Sequence, residues 1–176
     1  LTGLLKIMLG LLTPQTGTVK LFGQEAGLFR DRSKIGYVPQ KAAALDGNFP
    51  ATVHEIVLMG RYARRGLGRR VTAEDHAQTR RALAQVEMTA FHDRLIGELS
   101  GGQQQRIFIA RALAAEPEIM FLDEPTAGVD KEIKKEFYAL LKKLNEELDL
   151  TVVLITHDAE GLTYGSMHVA CLDRTM

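Results

Sequence analysis

Apolar residues along the chain recur with two different periods, and the switches between them divide it into elements. Residues 4–12 are compact and apolar and predict a helix, closed by Thr13-Pro14 and a turn at Thr16-Gly17. Residues 18–22 alternate and stop at Gly23, which predicts a short strand; residues 34–38, stopped by Pro39, predict a second. From Asp46 to about Gly97 the pattern turns helical, with segments 53–60 and 73–91 separated by an arginine-rich loop. Residues 46–97 therefore read as a helical lobe inserted into one core formed by 1–45 and 98–176.

Beyond the lobe, Ser100 opens a helix in which Ile107, Ala110, Leu113 and Ala114 share a face, ended by Glu116-Pro117. Residues 119–122 are continuously apolar with Asp123-Glu124 at their C-terminal end, the pattern of a buried parallel strand. Ile133, Phe137, Leu140, Leu141, Leu144 and Leu148 mark an amphipathic helix, followed by a second buried strand over 151–155 and a last one over 169–172. Strand, helix and strand in that order imply a right-handed crossover and an α/β sheet.

Composition narrows the picture modestly. The 176 residues suffice for one core with an added lobe. Lys plus Arg and Asp plus Glu both number 22, so global charge gives no reason to expect a nucleic-acid partner. The single cysteine, Cys171, permits no internal disulfide, as expected in a reducing cytosol, and its apolar neighbours predict a core residue. No run approaches the roughly 18 apolar residues of a membrane span. The chain opens at Leu1 within an apolar run and reads as a fragment, truncated at its N-terminus.

Ligands of open parallel sheets gather beyond the carboxyl ends of the strands. Two predicted strands end in polar residues, Asp123-Glu124 and Thr156-His157-Asp158. In Leu99-Ser-Gly-Gly-Gln103, adjacent glycines at a helix start cost backbone entropy unless something must approach closely. Ser100 and Gln103 have capping-box spacing, and the exposed N–H groups with the helix dipole suit an anion such as phosphate. The same residues could also serve as a plain N-cap.

Leu99 to Gln103 followed by Gln-Gln-Arg106 resembles the signature motif of ABC ATPases, and residues 119–124 with Pro125-Thr126 resemble their Walker B strand. Gln40 in Tyr37-Val-Pro-Gln40 resembles the Q-loop, Ala127-Gly-Val-Asp130 the D-loop, and His157 the switch histidine. The resemblance runs from residue 4 to about 174 and implies a P-loop NTPase-type α/β core whose cofactors are ATP and Mg²⁺. It implies that Asp123 holds Mg²⁺ with Gln40 nearby, Glu124 polarises the attacking water, and His157 contacts the γ-phosphate. Ser100, Gly101, Gly102 and Gln103 would reach ATP held by a second copy, with Asp130 at the same seam.

The phosphate loop of that family ends in Gly-Lys, a dipeptide absent from this sequence, so the chain as given is expected to bind ATP weakly or not at all. Residues 48–61, 108–113, 137–145 and 169–174 resemble the zinc/manganese/iron importer branch. That implies permease subunits and, indirectly, a substrate-binding protein as partners, no nucleic acid, and a peripheral place on the cytoplasmic face of the plasma membrane. A non-transport cassette acting on nucleic acid or ribosome is the alternative. His54, His76, His92 and His168 read as surface residues without metal-site spacing. Arg61, Arg64, Arg65, Arg69 and Arg70 read as a solvated loop, or else as a contact with the membrane subunit or lipid headgroups.

Overall fold

The computed structural model describes residues 2–40, 49–66, 68–126 and 130–156. The apolar run at the start forms α1 (Thr2–Met8), shorter than predicted because Gly10 takes φ 68°. A Cβ at Gly10 would fall 2.2 Å from the Ala26 carbonyl oxygen, so only glycine lets the chain pass there. The strand expected over 18–22 shrinks to β1 (Lys20–Leu21), which turns at Phe22 and Gly23 and pairs antiparallel with β2 (Gln24–Glu25). Both turn residues have positive φ, the hairpin geometry that follows strand twist; sequence reading took Gly23 as an end and missed the return strand.

Next come β3 (Ile35–Val38), α2 (Val53–Leu58), a 3-10 turn over Met59–Arg61, α3 (Tyr62–Arg65) and α4 (Ala73–Gln85). Helix α4 stops before the predicted 91 because Glu87 adopts φ 63° between buried Val86 and Met88. Then follow α5 (Gly101–Leu113), β4 (Ile119–Asp123), α6 (Lys131–Leu148) and β5 (Thr151–Ile155). The strand expected over 169–172, with Cys171, lies outside the described residues.

All three long strands run parallel in the order β3-β4-β5, with Val38, Leu122 and Leu154 in register. Alternate residues of β4 feed two cores. Met120 and Leu122 join Val38 and residues of α2, α4, α5 and α6, whereas Phe121 joins Leu5, Leu9, Leu21 and Phe29. The sheet is thus buried on both faces, which its continuously apolar strands required. Helix α6 buries Phe137, Leu140, Leu141 and Leu144 as predicted; its predicted end positions Ile133 and Leu148 are exposed, and Tyr138 is buried as well.

Three of the five clustered arginines are structural and not loop charges. Arg61, 7% exposed, donates to Asp75 (3.0 Å), the Ala114 carbonyl (2.7 Å) and Glu116 (2.9 Å). Arg64 donates to the Ala115 carbonyl at 3.1 Å, and the Arg65 side chain is 8% exposed with its guanidinium over the Tyr62 ring. The carbonyls at the end of α5 have no helical partners of their own, and guanidinium groups satisfy them while complementing the negative end of the helix dipole. Arg69 and Arg70 remain exposed. Burial alone would raise the Asp75 carboxyl, but the Thr72 N–H, Arg61 and the Thr72 hydroxyl outweigh it and bring it down to about 2.

The lobe histidines also depart from the surface reading. Hydrogen bonds from the Val53, His54 and Ile96 N–H groups to the carbonyls of Arg94, His92 and Ala51 zip residues 92–96 against the start of α2. His54 Nε2 then meets His76 Nδ1 at 2.8 Å, and the His54 ring lies 4.4 Å from that of His92, whose Nδ1 meets the Asp93 carboxylate at 2.7 Å. Among the described residues no group of three or more such side chains is disposed to hold a metal ion. Nor is any described helix long and apolar enough to cross a membrane.

Two outcomes follow from this packing. At Gly60 a Cβ would meet the Arg111 carbonyl oxygen at 1.9 Å, so Gly60→Ala must push the 3-10 turn over Met59–Arg61 off α5; we expect a loss of about 1–3 kcal/mol in urea unfolding. Burial first, then His92, His76 and Arg80, lower the His54 pKa below 6.5. Its neutral form therefore adds stability that is complete above pH 6.5 and is lost as pH falls through the lowered value. The urea midpoint should fall between pH 7.5 and 5.5, and less steeply in His54→Gln.

Candidate functional site

The C-terminal ends of β3, β4 and β5 lie along one edge of the sheet, and the predicted chemistry collects there. Parallel register carries Gln40, two residues past β3, to the same level as Asp123 and Glu124. Gln40 Nε2 donates to Glu124 Oε2 at 2.9 Å across 84 residues of sequence. Asp123 is 4% exposed; burial first and the adjacent Glu124 carboxylate second push its pKa up. Burial and the same Asp123 charge also push the Tyr37 phenol up. Thr156 follows β5 at this edge, while His157 lies outside the described residues.

Glu124 itself has φ 43°, a left-handed conformation that costs a non-glycine residue energy and persists only where the surroundings fix it. Its N–H donates to the Ile155 carbonyl at 2.8 Å. Two more contacts hold the turn: Gln105 Nε2 donates to the Pro125 carbonyl, and the Thr126 and Tyr138 hydroxyls meet at 3.3 Å. Gln105, Thr126 and Tyr138 are all buried, and sequence reading missed their part. The available signal was weak: a glutamine inside the apolar stretch of a helix needs a buried partner, but the partner's identity depends on the fold.

Ser100 caps α5, its hydroxyl accepting from the Gln103 N–H (3.4 Å) while Gln103 Oε1 accepts from the Ser100 N–H (3.0 Å). The predicted capping box is therefore present, and it engages the Gln103 side chain. Ser100 and Gly101 are exposed. Neither Gly101 nor Gly102 has a positive φ; a Cβ at Gly101 would meet nothing within 4 Å, and one at Gly102 only Ile133 at 3.5 Å. Each glycine costs a helix about 1 kcal/mol against alanine, and this chain's own packing gives no return for it. Bare N–H groups at the positive end of a helix dipole suit a phosphate. Asp130 caps α6 by position, without a side-chain cap hydrogen bond, and is exposed.

Comparison with known proteins identifies the family. The family model described as ABC transporter matches residues 2–127. The chain belongs to the ABC transporter family. It is 46% identical over 171 residues to the zinc uptake system ATP-binding protein ZurA of Listeria monocytogenes, a match covering 97% of this chain and 66% of that protein. To the manganese transport system ATP-binding protein MntB of Listeria innocua it is 48% identical over 155 residues, 88% of this chain and 63% of that one. The chain thus spans just under two thirds of the length of these relatives.

Solved structures carry the same fold. A putative metal-chelate type ABC transporter in an inward-facing conformation superposes with a TM-score of 0.80 at 31% identity, covering 93% of this chain and 60% of that one. An ATP-binding cassette solved as a dimer in a post-hydrolysis state with ADP and Pi gives 0.73 at 33% identity, covering 93% and 72%. Removing the cap tests the helix that presents the glycines. Ser100→Ala should cost about 1 kcal/mol in thermal or urea unfolding, and Ser100→Gly only a few tenths.

Proposed function

We propose that the protein is the ATP-binding and ATP-hydrolysing subunit of an importer for a zinc- or manganese-type metal ion. It would work as a head-to-tail pair on permease subunits at the cytoplasmic face of the plasma membrane, fed by a substrate-binding protein. One observation carries the hydrolytic part: the Gln40–Glu124 hydrogen bond, which places an oriented carboxylate beside buried Asp123 at the ligand edge of a parallel sheet. The names of the zinc and manganese relatives support the transported class.

In this reading Glu124 takes the proton of the attacking water as general base, and Gln40 fixes the carboxylate in the orientation that reaction needs. Asp123, whose burial and like-charged neighbour disfavour a bare negative charge, fits an oxygen ligand for Mg²⁺. The ion would neutralise charge on the phosphates when bound. His157 contacts the γ-phosphate. Ser100, Gly101, Gly102 and Gln103 offer the start of α5 to nucleotide held by the second copy, with Asp130 at the seam. Residues 46–97 would form a helical lobe inserted into the core made by 1–45 and 98–176.

The test uses the full-length protein. Glu124→Gln should lower ATP turnover about 10²–10⁴-fold while nucleotide still binds, and should stop zinc or manganese uptake in cells. Turnover at the wild-type rate would refute the assignment. The 176 residues hold no Gly-Lys, so titration of this chain alone with ATP should show no saturation in the micromolar range.

A further inference from the structure

The geometry points to Gln105 as a positioning residue that couples the glycine-led start of α5 to the catalytic turn of the same chain, an inference resting on the function just proposed. Pro125 lacks an N–H, so its buried carbonyl is its one backbone hydrogen-bonding group, and the Gln105 amide satisfies it. Pro125 is covalently attached to Glu124, the residue held at φ 43°. Gln105 stands three and four positions after Gly102 and Gly101, on the same face of α5 one turn along.

Whatever presses on the exposed Ser100 and Gly101 therefore moves a helix whose next turn grips the backbone beside the general base. Other contacts of the turn come from elsewhere: the Glu124 N–H is held by β5, the Thr126 hydroxyl by α6, and the Glu124 carboxylate by Gln40. A buried glutamine amide is costly without a partner, which argues that its place in α5 is set by the carbonyl it meets. The structure assigns to it the transmission of docking at Ser100–Gly102 to the orientation of Glu124. Engagement of one nucleotide by the helix start would thus tune hydrolysis at the sheet edge of the same subunit.

Two variants of the full-length protein test this in steady-state ATPase assays. Gln105→Met keeps the volume but leaves the Pro125 carbonyl unpartnered; kcat should fall about tenfold or more while KM for ATP stays within about twofold. In Gln105→Glu, the protonated carboxyl can donate to that carbonyl and the charged form cannot. Its rate relative to wild type at the same pH should therefore rise as pH falls from 8 to 6, with Gln105→Met flat over that range. The glutamate variant carries the test alone if the methionine variant does not fold. Wild-type kcat in either variant at pH 8, or a glutamate-to-wild-type ratio that does not change with pH, would overturn the assignment. If the wild-type protein itself does not turn over ATP, the proposed function fails, and the coupling with it.

Discussion

A strand covered on both faces can keep its polar residues only at its ends, and β4 is such a strand. Its interior residues Met120, Phe121 and Leu122 are fully buried, two in one core and one in the other. The charges that follow are forced to the C-terminal edge, where parallel neighbours deliver Gln40 on one side and Thr156 on the other. The location of the carboxylates is thus a by-product of hydrophobic burial. The orientation of Glu124 is a separate matter: Gln40 holds its carboxylate, and hydrogen bonds from other parts of the chain hold the turn that carries it.

Helix α5 joins these two levels. It is buried nearly all round, its N-terminus is exposed with a hydroxyl cap, and its C-terminal carbonyls are gripped by Arg61 and Arg64. Arg61 is itself neutralised by Asp75 and Glu116, so the buried guanidinium is compensated as well as hydrogen-bonded. Gly60 lets the lobe backbone approach α5 closely on the same side. Residues 60–64 therefore hold the far end of the helix, while Gln105 ties its beginning to the turn after β4.

Much of this was legible in the residues. The long apolar runs and their polar termini marked β4 and β5 as buried parallel strands and placed Asp123 and Glu124, because burial and periodicity are local properties of sequence, whereas the order β3-β4-β5 came only with the fold. The capping box at Ser100 was legible for the same reason. What escaped detection depended on partners far along the chain. The β1–β2 hairpin hid behind a non-glycine positive φ at Phe22, the arginines looked like loop charges until helix α5 supplied carbonyls, and three separated histidines met only because residues 92–96 pair with α2 while α4 brings His76 alongside His54. Gln105 looked like one more polar position in a glutamine-rich stretch; its role exists only once Pro125 is adjacent.

The turn after β4 draws its supports from Gln40, Gln105, Tyr138 and Ile155, positions scattered over most of the described chain. During synthesis, Tyr138 and the β5 carbonyl emerge after the turn they steady. A polypeptide still leaving the ribosome therefore carries Glu124 without the framework that aims it. The turn after β4 is therefore complete only late in folding, once α6 and β5 have taken their places.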